Sequence, residues 1–177
     1  MDVQRHVVSR FPDPDYLPRL SKAVDAARAA GVPVIYVVVR FRPGAPEVSR
    51  RNRVFGALAG GALPGGEEAM QIHPDVTPAA DDIVVTKKRI SAFAGSDLDL
   101  VLRAGDIDHL VLAGIATSGV VLSTVRQASD LDFTLTVLSD GCLDGDPEVH
   151  RVLTEKVFPR QADVVTVEEW VTSLALR

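Results

Sequence analysis

The chain has 177 residues, of which 46% are hydrophobic and 24% charged, proportions typical of one globular domain, which we assign to residues 1–177. Nineteen Lys and Arg against 24 Asp and Glu give a net charge of −5, which argues against a nucleic-acid-binding surface because phosphate contacts need clustered basic side chains. The apolar runs are too short for a spanning helix, and the single cysteine, Cys142, excludes an internal disulfide, so we expect a cytoplasmic protein without membrane contact.

Apolar, β-branched runs alternate with amphipathic helical patterns along the chain. The runs predict buried strands over residues 32–39, 82–86, 109–115, 134–140 and 163–167. The patterns between them predict helices over residues 15–30, 96–104, 118–131, 146–157 and 167–176. This alternation predicts an α/β fold, a three-layer sandwich whose mostly parallel sheet is covered by helices on both faces.

The segment 43–80 interrupts this pattern and is rich in Gly, Pro and Arg. It contains a basic run at 50–53 and a glycine-rich run at 60–66. A loop of this length in a compact domain is usually functional. Its glycines follow neither of the common phosphate-binding patterns, so we interpret them as a flexible turn and do not expect nucleotide binding.

Residues just past the predicted strands carry much of the basic charge. Arg40 and Arg42 follow the first strand, and the run 86–89 follows the second. In parallel α/β sheets, ligands bind outside the carboxyl ends of the strands. The pattern therefore favours a small anionic substrate such as a carboxylate, although basic side chains that merely stay solvated explain it about equally well.

Three segments resemble the isochorismatase-like hydrolases, also called cysteine hydrolases, in order and spacing over essentially the whole chain. Residues 1–4 resemble the end of that family's first strand, where an Asp acts as catalytic acid or base. Residues 87–93 resemble its Lys-x-Arg-x-Ser-Ala-Phe segment, and residues 114–120 its Gly-[Val/Ile]-x-Thr-x-x-Cys nucleophile turn. The resemblance implies a sheet of strand order 3-2-1-4-5-6, with Asp2 and Lys87 as catalytic residues.

Val120 stands where the thiol-using members of this family carry the nucleophilic cysteine. Valine has no nucleophilic atom and cannot form an acyl-enzyme. The sequence therefore predicts a hydrolase that acts on a small anionic metabolite by Asp2 and Lys87 acid–base chemistry. Isochorismate-hydrolysing members resemble this sequence better, since they also lack the thiol. In them an Asp protonates a vinyl ether and water attacks the resulting cation. The alternative is a non-catalytic ligand- or partner-binding protein of the same fold, in which Asp2 and Lys87 remain as a buried ion pair.

The resemblance also implies a set of residues that contact the substrate. They are Gln4, Arg42, Arg51, Phe93, Thr117 and Gly119. By the same resemblance, the peptide between Ile115 and Ala116 is expected to be cis. We expect no metal and no cofactor, because metal-binding members carry an Asp/His cluster where this chain has residues 40–42. The resemblance further implies a homo-oligomer, a dimer or tetramer, with the helix 118–131 near a subunit contact.

Cys142 is a second candidate nucleophile. It lies two residues after Asp140, near the same rim, and His150 lies one helical turn into the next element. A cysteine and a histidine on adjacent segments can form a reactive thiolate pair. A lone cysteine is more often a small buried residue, and both interpretations are open at this point.

The start of the chain departs from the family pattern, because only Met1 precedes Asp2. Family members carry four to six apolar residues there, which form the central strand of the sheet. Without that strand its two neighbours would lie about 9.6 Å apart, twice the usual spacing of about 4.8 Å, with unpaired backbone groups on both. We therefore expect that the first strand is truncated here and that the native chain carries further upstream residues.

Overall fold

The computed structural model describes residues 1–59 and 65–176 of the chain. Part of the glycine-rich turn predicted at 60–66, namely residues 60–64, lies outside the described residues, as does Arg177. None of the helices in the described ranges is both long and apolar enough to cross a lipid bilayer.

The strands form where the sequence is β-branched and apolar on both faces, as buried parallel strands require. They are β1 (Ile35–Val39), β2 (Ile83–Lys87), β3 (His109–Ile115), β4 (Thr134–Leu143) and β5 (Asp163–Val165). β4 extends three residues beyond its predicted end, and β5 is shorter than predicted. All of the strand pairs in the described residues are parallel.

Helices connect these strands. They are α1 (Arg5–Val8), α2 (Tyr16–Ala29), α3 (Gly66–Ala69), α4 (Leu98–Ala104), α5 (Leu122–Asp130), α6 (Pro147–Val152) and α7 (Val167–Leu174). Two of the predicted helices are divided. A π-helical turn, Thr117–Val121, precedes α5, and a second one, Leu153–Val157, follows α6.

The strands form two hydrogen-bonded groups, β1 with β2 and β3 with β4 and β5. Met1 and Asp2 bridge the two groups. The Asp2 amide donates to the Val37 carbonyl at 2.8 Å, the Met1 amine donates to the Ala113 carbonyl at 2.9 Å, and the Ile115 amide donates to the Met1 carbonyl at 3.2 Å. The predicted α/β fold with parallel strands and helices is thereby confirmed, with residues 1 and 2 standing in the middle of the strand order.

Core side chains cover both faces of the sheets. The largest cluster packs under α4 and α5 and includes Val85, Leu102, Val125 and Leu135, whereas Tyr16 and Leu20 of α2 belong to a separate cluster.

A close backbone contact at Gly114 positions Met1 and Asp2 beside β3. Its φ is +148°, and a Cβ atom added there would lie 2.2 Å from the Met1 carbonyl oxygen. Only glycine therefore lets residues 1 and 2 approach β3 so closely.

Candidate functional site

Asp2 and Lys87 form a buried ion pair at the carboxyl ends of β1, β2 and β3. The Lys87 Nζ atom lies 2.8 Å from Asp2 Oδ2, and the two residues are only 1% and 8% exposed, respectively. Lys87 Nζ also donates to the carbonyls of Arg89 and Ile90, at 2.9 and 3.0 Å. An ammonium group has three hydrogens, so these acceptors fix its position completely.

The second oxygen of the Asp2 carboxylate has a different environment. Oδ1 is buried, and no residue that the structure describes hydrogen-bonds to it. Burial raises the pKa of Asp2 above its ordinary value, while the charge and hydrogen bond of Lys87 act in the opposite direction. A buried carboxyl group with a raised pKa and one open oxygen is a common feature of acid–base sites. Asp2 also has a φ of 55°, so the chain leaves the strand direction at this residue.

Gln4 holds the segment after Asp2 against β1. Its side chain is fully buried; it donates to the carbonyls of Val39 and Met70, at 3.1 and 2.6 Å, and accepts from the Val39 amide at 3.0 Å. The side-chain amide thus pairs with Val39 as a neighbouring strand residue would. Main-chain carbonyls use both of its amide hydrogens, so the predicted contact with substrate stays a prediction.

The turn at the end of β3 lies next to Asp2, because the Met1 carbonyl bonds to Ile115. The peptide bond between Ile115 and Ala116 is cis. Gly119 has the non-helical angles φ −98° and ψ −105° inside the π-helical turn. Val120 is only 2% exposed and belongs to the main core cluster, so its side chain contributes packing at this position.

Two side chains from the segment after β4 hold this turn. The Thr117 hydroxyl, which is fully buried, lies 2.8 Å from Nδ1 of His150, and the Ser118 amide donates to Oδ2 of Asp144 at 2.7 Å. Burial lowers the pKa of His150, although the charge of Asp144 acts in the opposite direction. Partial burial raises the pKa of Asp144, but hydrogen bonds from Ser118 outweigh this effect and lower it. Sequence reasoning missed Asp144 and the Thr117 contact of His150, because no local pattern links residues so far apart in the chain.

Cys142 lies in the core and not on the rim. It is 1% exposed, and burial raises the pKa of its thiol to about 12. The thiol is therefore protonated at neutral pH and is a poor nucleophile. His150, its proposed partner, bonds to Thr117 instead. These observations favour the interpretation of Cys142 as a small buried residue.

The remaining predicted substrate contacts lie in different surroundings. Phe93 is 8% exposed and packs against Phe133 with their ring centroids 5.9 Å apart. Arg42 is exposed and its Nη1 lies 2.7 Å from a carboxylate oxygen of Glu47, and Arg51 is exposed on the loop. The structure thus brings Asp2, Lys87 and the turn at Thr117 together, whereas Phe93 is in the core and the two arginines lie on the long loop.

Basic residues that follow β2 hold this loop in place. Lys88 Nζ donates to the Arg40 carbonyl at 2.5 Å, and Arg89 donates to the carbonyls of Lys88 and Glu47, each at 2.7 Å. Part of the basic charge predicted at this edge is therefore engaged with main-chain oxygens. Among residues 1–59 and 65–176, no group of three or more His, Cys, Asp or Glu side chains has a metal-binding arrangement.

A family model for the isochorismatase domain matches residues 1–169. The chain belongs to the isochorismatase family. Among its relatives, the ureidoacrylate amidohydrolase RutB of Pseudomonas syringae pv. syringae (strain B728a) is 36% identical over 171 residues, which cover 88% of this chain and 66% of the relative. The uncharacterized isochorismatase family protein YecD of Escherichia coli O157:H7 is 36% identical over 157 residues, covering 88% of this chain and 81% of the relative. This chain therefore spans about two thirds of the length of the amidohydrolase.

Solved structures of the isochorismatase family have the same fold. An isochorismatase family protein from Burkholderia thailandensis has a TM-score of 0.86 at 28% identity, with 98% of this chain and 92% of that chain covered. The N-carbamoylsarcosine amidase from Thermoplasma acidophilum has a TM-score of 0.74 at 26% identity, with 94% and 93% covered. The sequence-based expectation of a hydrolase agrees with the class of these named relatives.

Proposed function

We propose that this isochorismatase-family protein hydrolyses a small anionic metabolite by acid–base chemistry at Asp2, without a covalent thiol intermediate. The observation that carries the proposal is the asymmetry of the Asp2 carboxylate. Lys87 holds Oδ2 at 2.8 Å, whereas Oδ1 is buried without a partner among the described residues. A carboxyl group that donates a proton needs one oxygen fixed by a hydrogen bond, and it needs the other oxygen free to carry the proton.

Lys87 acts in this proposal as a positioning residue. Its three hydrogens go to Asp2 and to two main-chain carbonyls, so it has no further hydrogen for a substrate. With a vinyl ether, protonated Asp2 gives its proton to the terminal alkene carbon and the carbocation forms at the ether carbon. Water adds to that cation, and the resulting hemiketal releases an alcohol and a carbonyl compound. The proton lost by the water returns to Asp2, which completes the balance.

Val120 supports a mechanism without a covalent intermediate. If the resemblance holds, Val120 stands at the nucleophile position, and its buried alkyl side chain has no atom that could attack a carbonyl. Cys142, whose thiol has a pKa of about 12, does not provide a substitute. Two of the relatives are named as an amidohydrolase and an amidase, that is, as enzymes that act on amides. We expect this chain to differ from them in the class of its substrate.

We propose a carboxylate as the anionic group of the substrate. Arg42 and Arg51 are exposed on the long loop that follows β1, and a guanidinium group can bind a carboxylate in bidentate fashion. Arg42 already pairs with Glu47, and a substrate carboxylate would have to displace that residue. Contacts from Gln4, Phe93, Thr117 and Gly119 remain part of the prediction, as does assembly into a dimer or tetramer.

The test is a substrate panel that contains isochorismate, ureidoacrylate and simple amides, run on the wild-type protein and on Asp2→Asn. We expect turnover of the vinyl ether, and a loss of about 10²- to 10⁴-fold in the Asn variant because it has no proton to transfer. Asp81→Asn is the matched control, since Asp81 is exposed on the loop before β2, and it should leave the rate unchanged.

Other outcomes contradict the proposal. Turnover that survives in Asp2→Asn would remove Asp2 from the chemistry, and rapid hydrolysis of amides would overturn the argument from Val120. Saturable binding of the anionic compounds without turnover would favour the non-catalytic alternative, in which the Asp2 and Lys87 pair only shapes a binding site.

A further inference from the structure

The outer edge of β2 presents unpaired main-chain groups. Among the residues that the structure describes, β2 pairs with β1 on one side and with no strand on the other. The Ile83 amide donates to the Val34 carbonyl, so the odd-numbered residues of β2 bond to β1. The N–H and C=O groups of Val84 and Thr86 therefore point away from β1, where another strand can bond to them.

Apolar side chains surround this edge. Val84 is 49% exposed and Ile83 is 40% exposed. Leu100 of α4 is 71% exposed and lines an open groove together with Val84 and Thr86. Native proteins usually protect an edge strand with a charged residue, a proline or a β-bulge. Residues 83–86 contain no charged residue and no proline, and they pair with β1 without a register shift, so this edge is suited to pairing with another strand.

The two ends of this edge differ in charge. At the amino-terminal end of β2, Asp82 pairs with Arg28, and the adjacent Asp81 is exposed and adds a negative charge. The carboxyl-terminal end has four basic side chains against two acidic ones, namely Arg40, Arg42, Lys88 and Arg89 against Glu47 and Asp97. The edge is therefore acidic where β2 begins and basic where it ends.

We propose that β2 pairs with β2 of a second copy of this chain, antiparallel and about a two-fold axis at Val85. In this register Val84 of each copy lies opposite Thr86 of the other, and their outward N–H and C=O groups form four hydrogen bonds. Asp81 of each copy lies at the basic end of the other copy, whereas a parallel arrangement would bring like charges together. The axis also brings the exposed Leu100 side chains of both copies to the same face of the joined sheet.

A second copy fits this edge because the edge is complementary to itself. It carries a donor and an acceptor at residues 84 and 86, apolar side chains beside them, and opposite charges at its two ends. A two-fold contact uses the same surface twice and requires such self-complementarity. The interface is short, so we expect a weak dimer whose formation depends on concentration. This surface differs from the one near the helix 118–131 that the family resemblance implies, and the dimer does not depend on the proposed chemistry.

The experiment measures the dissociation constant of the dimer by sedimentation velocity between about 1 µM and 1 mM protein. Thr86→Pro removes an outward N–H group that β1 does not use, and proline is tolerated at the edge of a sheet. Thr86→Val is the matched control, because it keeps this N–H group and a β-branched side chain. We expect Thr86→Val to dimerise within about twofold of the wild-type protein, and Thr86→Pro to associate at least about tenfold more weakly.

A second variant and a second measurement make the test independent of how well the proline variant folds. Val84→Lys places a charge at an exposed position of the edge and leaves the pairing with β1 unchanged, so it should also weaken the dimer at least about tenfold. Amide hydrogen exchange at Val84 and Thr86 of the wild-type protein should become slower as the protein concentration rises.

A wild-type protein that stays monomeric up to about 1 mM would overturn the proposal. A dimer that both Thr86→Pro and Val84→Lys leave intact would also overturn it, because its interface would then lie elsewhere. Exchange at the Val84 and Thr86 amides that does not change with concentration would contradict pairing through these groups.

Discussion

Asp2 and Cys142 are buried ionisable residues that lie on opposite sides of Gly114 in β3. Met1, which precedes Asp2, lies opposite Gly114 on one side, and Cys142 is in register with Gly114 on the other. Burial raises the pKa of both side chains. A carboxyl group that keeps its proton becomes a useful acid near neutral pH, whereas a thiol that keeps its proton loses its nucleophilicity. The same physical effect therefore favours a function for Asp2 and removes one from Cys142.

A charged partner is the second difference between the two groups. Lys87 contacts the Asp2 carboxylate directly, while Cys142 belongs to the apolar core cluster. The partner fixes one carboxylate oxygen and leaves the other open, which gives the proton a defined position. We therefore expect substitution of Lys87 to have the largest effect and substitution of Cys142 the smallest.

Replacing Lys87 with Met should have the largest effect, a destabilisation of about 3–5 kcal/mol, because it leaves the Asp2 carboxylate buried and unpaired. Denaturant unfolding measures it. Lys88→Met is the matched control and should cost only about 1 kcal/mol, since Lys88 donates to one main-chain carbonyl and lies 3.8 Å from a carboxylate oxygen of Glu47. The double variant Asp2→Asn with Lys87→Met should recover part of the loss. A Lys87→Met protein as stable as the wild type would show that the ion pair is not needed to stabilise the buried Asp2.

The pH dependence of kcat/KM should report the raised pKa of Asp2. Protonated Asp2 is the active form, so the rate should be level at low pH and fall about tenfold per pH unit above that pKa. The pKa of Asp2 in the folded protein lies above its ordinary value of 3.8. Asp2 therefore makes its full contribution to stability below pH 3.8, and this contribution is lost as the pH rises through the pKa of the folded protein. A rate that instead rises through this range would assign Asp2 the role of a base.

Thr117→Val should have an intermediate effect, a destabilisation of about 1–3 kcal/mol, because it removes the hydroxyl from a buried hydrogen bond with His150. Thermal or denaturant unfolding measures this change. Thr117→Ser keeps the hydroxyl and serves as the control, which should retain most of the stability. Equal stability of the Val and Ser variants would contradict a role for this hydrogen bond in holding the turn.

Cys142→Ala should have the smallest effect on the reaction, leaving kcat/KM within about twofold of the wild-type value, because the buried thiol takes no part in the chemistry. Slow labelling by a thiol reagent under native conditions should accompany this result, with full labelling only after unfolding. A large loss of activity in both Cys142→Ala and the nearly isosteric Cys142→Ser, with both proteins still folded, would reverse the comparison and make the cysteine reactive.

The fold and the Asp2 and Lys87 pair were predictable because local patterns and motifs encode them. β-Branched runs indicated the strands, and three motif-like segments located the residues that meet at the carboxyl ends of those strands. The contact between Thr117 and His150 was not predictable, because it joins a turn and a helix that only the tertiary fold brings together. Side chains that bind the main chain, such as Gln4, likewise have no signal in the sequence.

The substrate-binding roles stay predictions. Phe93 matches its motif and yet packs against Phe133 in the core, and Arg42 pairs with Glu47 five residues away. A motif fixes the position of a residue along a strand end, but competing partners decide where its side chain points. The division of the strands into two hydrogen-bonded groups and the contacts by which Met1 and Asp2 bridge them needed the structure.

The most direct test of the acid–base account is a pH titration of the Asp2 carboxyl carbon by ¹³C NMR, in the wild-type protein and in a folded Lys87→Met variant. The account predicts an Asp2 pKa above 3.8 in the wild type, and a further increase when the lysine is removed. An Asp2 pKa at or below 3.8 in the wild-type protein would contradict the account, because burial would then not have raised the pKa of the proposed proton donor.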